Sequence, residues 1–240
     1  FSIWNLINNE PMHKIEKIIL TASGGPFLNT SVKKIKNINP KYALSHPNWK
    51  MGKKISIDSS NMMNKVFEYI EAKKIFNLDR KELDILVHPS SYVHAIVYFK
   101  GGIIKLLAHE AKMTIPISSA LGVDDFSSKN SFDLSLKKLN SMKFLVPNKF
   151  KFPLLSLIDQ LPTNTSYFET ILITLNDSLV KKYLDKKINY ISIQQNLLRL
   201  IKKPFFRKYY KLKPKSIYDI KKMISITKSY LNTNINYYND

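Results

Sequence analysis

Between residues 46 and 65 the chain reads HPNWKMGKKISIDSSNMMNK, and hydroxyls, amides and ammonium groups crowd against the start of a helical pattern. Ser59, Asn64 and Lys65 carry groups that bind a phosphoryl oxygen. The spacing predicts a helix over 61–76, with Ser59 or Ser60 as its N-cap. Unpaired N–H groups and the positive end of the dipole favour an anion at a helix start. Asn61, Asn64, Lys65, Glu68 and Ala72 share one arc opposite an apolar face of Met62, Met63, Val66, Phe67 and Ile70. The same arc reads equally as a solvated face. Glu68, one turn after Asn64, suits a hard divalent cation; its other reading is an intrahelical pair with Lys65, worth about 0.2–0.5 kcal/mol. His46 can donate to a phosphate or hydroxyl, and Trp49 can close over a ligand, or both can be ordinary packing and capping groups.

The elements that must position these groups are a mixed set. Residues 18–20 read as a strand running into Ser23-Gly24-Gly25-Pro26, a turn whose amides and hydroxyl can also approach an anion. Residues 54–57 read as a short strand, 84–88 as another, and 30–38 as a short helix. Residues 92–99 and 103–108 flank a Lys-Gly-Gly turn as a hairpin. Residues 113–149, rich in Ser, Asp and Lys with Gly122, Pro116 and Pro147, read as a connection with little regular structure beyond a turn at 134–139. The remainder reads as helices, at 151–161 and behind capping boxes at Ser166/Glu169, Ser192/Gln195 and Ser216/Asp219. The expectation is an α+β protein: a sheet-and-helix catalytic domain, partial, over 1–122, a linker over 123–150 and a helical bundle over 151–240.

Composition narrows the class. The 240 residues include no cysteine, which excludes a disulfide framework and cysteine-ligated zinc. No apolar run of about 18 residues suggests a membrane span, and no leader pattern opens the chain. Phe1 in place of Met points to a fragment or a processed chain. A net charge of +20 would serve nucleic acid, and the interleaved bases and aromatics of 202–215, KKPFFRKYYKLKPK, would serve single-stranded nucleic acid or an anionic membrane. The excess is spread along a chain rich in Lys, Asn, Ile, Tyr and Phe, so codon bias explains it more simply. The favoured reading of 202–215 is a basic loop with aromatics tucked under the bundle. His88, His94 and His109 lack a joining acid or cysteine and read as structural.

Taken together, TASGGPF (21–27), HPNWKMGKKISIDSSNMMNK, EYIEAKKIF (68–76), ILVHPSSYVHAIVYFKGG (85–102) and KMTIPISSALG (112–122) closely resemble the 1-deoxy-D-xylulose 5-phosphate reductoisomerases. The resemblance implies an NADPH-dependent oxidoreductase and isomerase of non-mevalonate isoprenoid biosynthesis. Such an enzyme rearranges and reduces 1-deoxy-D-xylulose 5-phosphate to 2-C-methyl-D-erythritol 4-phosphate with Mg²⁺, Mn²⁺ or Co²⁺, and is a homodimer. Carried over by motif, Ser23, Ser59, Asn64 and Lys65 contact the substrate, mainly its phosphate end, and His46 belongs to the same site. Glu68 ligates the metal and lies against the substrate, so Glu68 and His46 are the expected catalytic pair. Gly52 approaches NADPH; Trp49 and Met51 belong to the covering loop. The family's Gly-rich dinucleotide segment is missing, as are a lysine and an Asp-Ser-Glu segment that would precede Phe1 and complete the metal site. The 240 residues alone are therefore expected to be inactive. Residues 174–184 depart from the family's usual Ala- and Asn-rich helix. A bacterial cytoplasm, or alternatively a plastid-type organelle, is the expected compartment, with neither nucleic acid nor membrane as partner. The rival expectations are a basic nucleic-acid binder and a degenerate scaffold that only dimerises.

Overall fold

A computed structural model describes residues 1–35, 38–45, 49, 51–123 and 136–234. In chain order the elements are α1 (Ser2–Ile7), β1 (Ile15–Ala22), α2 (Val32–Ile35), α3 (Pro40–Ala43), α4 (Lys53–Ser60), α5 (Met63–Ile75), β2 (Leu83–Val87), β3 (Val93–Phe99), β4 (Ile104–Ala108), α6 (Thr114–Leu121), α7 (Leu136–Asn140), α8 (Phe168–Leu184), α9 (Tyr190–Leu200), α10 (Pro204–Arg207) and α11 (Ile217–Asn234). This is an α+β chain, as expected. Its packing falls into two units: Phe1–Gly25, His46–Met51 and Asn64–Asn148 form the first, and Pro26–Ser45, Gly52–Met63 and Lys149–Asp240 the second.

The first unit is built on a four-stranded mixed sheet in the order β2-β1-β3-β4. β1 runs parallel to β2 and antiparallel to β3, and β3 runs antiparallel to β4. β1 is central and buried along almost its whole length, as an eight-residue run of mostly apolar residues flanked on both sides must be. Ile19, Val93 and Ile96 form a core with Leu86, Tyr98, Met142 and Phe144 against it. The β3–β4 hairpin turns where the sequence places it, and Gly102 adopts φ +82°, a left-handed value that favours glycine. β4, at the edge, alternates exposed and half-buried residues.

The second unit is helical. α8 packs against both α9 and α11, and Leu172, Leu175 and Leu179 of α8 and Ile193 and Leu197 of α9 are fully buried. Aromatics of residues 202–215 pack within the unit: Phe206 is fully buried and Phe205 stacks on Tyr230 at 4.3 Å. No helix among the described residues is long and apolar enough to cross a membrane.

Several local expectations change. Residues 54–57 are helical, inside α4, because Ser56, Ile57, Asp58 and Ser60 are all buried and find partners through a helical backbone; the I-x-I alternation mimics a strand. The next helix begins at Met63, not Asn61. Its cap is Asn61, whose Oδ1 accepts from Met63 N–H at 3.0 Å, while Ser59 and Ser60 close α4. Between the two helices Met62 takes φ +67°, a costly conformation for a side chain of its size. Of the short helix expected at 30–38, α2 spans Val32–Ile35, and residues 36 and 37 lie outside the described residues. The segment 113–149 contains α6, which ends in a left-handed Gly122 with Gly122 N–H on Ser119 O and Val123 N–H on Ser118 O, a glycine-terminated helix stop. Residues 153–160 form a 3-10 rather than an α helix. α9 is capped by Asn189, whose Oδ1 accepts from Ser192 N–H, so Ser192 lies inside the first turn.

Candidate functional site

Lys65 and Glu68 share one face of α5 by their three-residue spacing. Lys65 is 9% exposed, and its ammonium donates to the carbonyl of Thr21 at 2.6 Å and to Oε2 of Glu68. Asn64 donates through Nδ2 to the other carboxylate oxygen of Glu68 at 2.6 Å. One carboxylate therefore holds an ammonium and an amide in a closed set. The arc expected to be polar is thus not a solvated face: Asn61, Lys65 and Ala72 are buried. Polar groups taken from water are normally paired: Asn64, Lys65 and Glu68 pair with one another and Lys65 with the end of β1, whereas Nδ2 of Asn61 is buried without a partner among the described residues.

That end of β1 carries the next candidate. Thr21 receives the Lys65 bond, and Ser23 follows two residues later, one step along the same side of the extended chain. Ser23 Oγ accepts from Gly25 N–H at 3.1 Å, and Gly24 and Gly25 take φ +82° and +65°. Two consecutive left-handed residues bend the chain tightly behind the serine, which is why this turn needs glycines.

His94, read as structural from sequence, lines the same cavity as Glu68. This hollow of about 360 Å³ also draws on Leu20, Glu71, Ala95 and Trp4. The imidazole stacks on His109 at 3.7 Å and meets Trp49 edge-on at 6.1 Å. Its Nε2 lies 3.0 Å from His109 O; a carbonyl only accepts, so Nε2 carries the hydrogen and Nδ1 a lone pair. Burial, with the charge of Lys65 nearby, brings its pKa from 6.5 down to about 4, so the ring is neutral at neutral pH. The sequence signal for this cavity position is thin: a lone His on a strand, with no acid at ligand spacing. His88 is accounted for differently, donating through Nδ1 to Lys143 O at 2.8 Å and stacking on Phe144.

Trp49 and Met51 are both half-buried, and Trp49 lies against His94 as described. His46 lies outside the described residues. In the second unit, Ser59 is half-exposed on α4 and shares its open side with Gly52 and Ile55. A Cβ built on Gly52 would meet nothing within 4 Å, and its φ of −61° suits any residue. The space beside it fits the close approach of a cofactor, but one glycine does not hold one.

The metal test gives a plain answer. Among the described residues no group of three or more His, Cys, Asp or Glu could hold an ion. Glu68 offers one carboxylate, already shared by two donors, whereas a hard divalent ion takes about six oxygen ligands. These residues do not form a complete metal site.

A family model described as the 1-deoxy-D-xylulose 5-phosphate reductoisomerase C-terminal domain matches residues 1–76, and one described as the DXP reductoisomerase C-terminal domain matches residues 109–230. The chain is similar to the 1-deoxy-D-xylulose 5-phosphate reductoisomerase of Pelagibacter ubique (strain HTCC1062), at 47% identity over 93% of this chain and 58% of that protein. It is similar to that of Wolbachia pipientis wMel at 42% identity, over 80% of this chain and 50% of the relative. Among solved structures it is similar to a DOX-P reductoisomerase in complex with NADPH, fosmidomycin and magnesium, with TM-score 0.81, 31% identity, and 96% and 59% of the two chains covered. The enzyme from Zymomonas mobilis in complex with NADPH aligns with TM-score 0.82 at 29% identity, over 98% and 60%. The chain thus spans between half and three-fifths of the length of these proteins.

Proposed function

The chain belongs to the 1-deoxy-D-xylulose 5-phosphate reductoisomerase family, and on that premise we propose that it supplies the substrate-gripping part of such an enzyme. The reaction is the rearrangement and NADPH-dependent reduction of 1-deoxy-D-xylulose 5-phosphate to 2-C-methyl-D-erythritol 4-phosphate. The observation that carries this reading is the closed set of Lys65, Asn64 and Glu68 beside the end of β1. An ammonium kept at low exposure, next to a carboxylate that can exchange partners, is arranged to receive a phosphate.

In this reading Lys65, Asn64, Ser23 and Ser59 bind the phosphate end of the sugar, and His46 belongs to the same site. Neutral His94, with a lone pair on Nδ1, accepts a hydrogen bond from a sugar hydroxyl and brings no competing positive charge. Trp49 and Met51 cover the bound sugar and exclude water. Gly52 lets NADPH approach, and that cofactor supplies the hydride. Glu68 contributes one oxygen to a divalent cation. The remaining ligands, and most of the NADPH site, would come from the share of the family's length with which this chain does not align. A homodimer is part of the proposal, supported by exposed Ile104 and Leu106 on edge strand β4 and exposed Ile115, Ile117 and Leu121 on α6, apolar surface of the kind that subunit contacts cover. The bacterial relatives support a cytoplasmic setting.

Two measurements test the reading. The polypeptide of the complete reading frame, given substrate, NADPH and Mn²⁺, is expected to oxidise NADPH and to rescue a reductoisomerase-deficient strain. The 240 residues alone are expected to show no NADPH oxidation. Failure of the complete enzyme sinks the reading; turnover by the 240 residues sinks the division of ligands described here.

A further inference from the structure

α4 is two turns long and has no side-chain cap bond at its Gly52 end. A helix of that length is not stable by itself, so its position and rotation must be set from outside. Two buried bonds to longer helices of the same unit do this. Asp58, 1% exposed, accepts through Oδ1 from Asn176 Nδ2 of α8 at 2.8 Å and through its second oxygen from Lys54 Nζ at 2.8 Å; Lys54 reaches on to Asp177 of α8 at 3.1 Å. Ser60, also 1% exposed, sits 2.8 Å from the hydroxyl of Tyr190 on α9. The single hydroxyl hydrogen of Ser60 goes to Ile57 O at 2.6 Å, so Tyr190 donates to Ser60. Burial raises the tyrosine's pKa far above its usual value, which keeps that hydrogen in place.

Residues 58 and 60 leave a helix about 200° apart, so the two bonds grip α4 from opposite sides, with Ser59 on the open side between them. The Ser59 hydroxyl lies about 4 Å from the helix axis; a rotation of about 15° would move it by about 1 Å, enough to cost a well-placed bond most of its value. We infer that Tyr190 and Asn176 are positioning residues for the substrate's phosphate: through Ser60 and Asp58 they fix the rotation of α4 and so the reach of Ser59. This rests on the proposed role of Ser59 as a phosphate ligand.

The test is a set of variants of the complete enzyme, read as KM for 1-deoxy-D-xylulose 5-phosphate and kcat separately. Tyr190→Phe keeps the packing and removes the phenolic hydroxyl, with its bonds to Ser60 and to the side chain of Gln194. It is expected to raise KM about 3- to 10-fold with kcat within about twofold. Ser60→Ala is expected to match it, and the double variant to be no worse than either. In a Ser59→Ala background, where KM is already raised, Tyr190→Phe is expected to add nothing, whereas general loosening of the fold would add its full effect. An unchanged KM in Tyr190→Phe, or an additive effect on top of Ser59→Ala, overturns the inference alone. An unchanged KM in Ser59→Ala overturns it together with the assignment of Ser59. Failure of the unsubstituted enzyme to turn over substrate marks the failure of the functional reading.

Discussion

Replacing Lys65 with Met separates what this side chain does for the fold from what it does for a ligand. The two side chains have similar length, so packing is retained. The fold loses the ammonium's bond to the Thr21 carbonyl, of a kind worth about 1.5–3 kcal/mol. It also loses a partly exposed i,i+3 pair with Glu68, worth about 0.2–0.5 kcal/mol. Against this stands relief from burying a charge that is only 9% exposed, itself a cost of several kcal/mol before pairing. These terms largely cancel, and a net destabilisation of about 1 kcal/mol is expected, a fall of about 2–4 °C in melting temperature. For a bound phosphate nothing cancels. The lost charge-assisted bond is worth about 1.5–3 kcal/mol, so KM should rise about 10- to 100-fold. Because the phosphate does not react, kcat should move much less. Steady-state kinetics on the complete enzyme, beside thermal unfolding, gives both numbers. A KM within about threefold of the unsubstituted enzyme, together with a clear loss of melting temperature, would mean that Lys65 only ties α5 to β1.

The same cluster and its neighbour make two further predictions. Glu68→Gln removes the charge for which Lys65 is held, so inorganic phosphate should bind about twofold more tightly in the absence of divalent ions; weaker binding by calorimetry would show that Glu68 does not compete with phosphate for Lys65 and Asn64. His94 has its pKa depressed from 6.5 to about 4, so the native state binds fewer protons than the unfolded chain between those values. Its contribution is full above pH 6.5 and is lost as pH falls through 4. Discounted for partial exposure it amounts to about 1–2 kcal/mol. Urea unfolding at pH 7 and pH 4 should show a difference that His94→Gln reduces by that amount, and an equal difference in both proteins would count against the buried, neutral ring.

How much of this was legible in the sequence depended on whether a signal was local. The β3–β4 hairpin was legible because a Lys-Gly-Gly turn between two apolar runs determines it within a few residues. The Ser216/Asp219 box was legible for the same reason: Asp219 accepts from Ser216 N–H at 3.1 Å, and Ser216 Oγ accepts from Asp219 N–H at 3.2 Å. The grouping of Asn64, Lys65 and Glu68 followed from helical spacing alone. Residues 54–57 were misread because nothing local makes Asp58 an interior residue. Its partner, Asn176, lies 118 residues away, and an isolated Asp in a hydroxyl-rich run otherwise signals a turn or a cap. The start of α5 was misplaced for a related reason. Ser59, Ser60 and Asn61 are all good N-caps by type. The choice among them fell to Asn61 because Ser60 is already committed to Tyr190, 130 residues away. The cavity position of His94 is not legible in the sequence, because a stacked His109 and a hollow shared with Glu68 exist only once β3 and β4 have paired. The residues that would touch the substrate are thus announced by short spacings, while the bonds that hold α4 in place come from Asn176 and Tyr190, more than a hundred residues distant. On the proposed role of Ser59, Tyr190→Phe would therefore weaken phosphate binding without touching any of the motifs that carry the family resemblance.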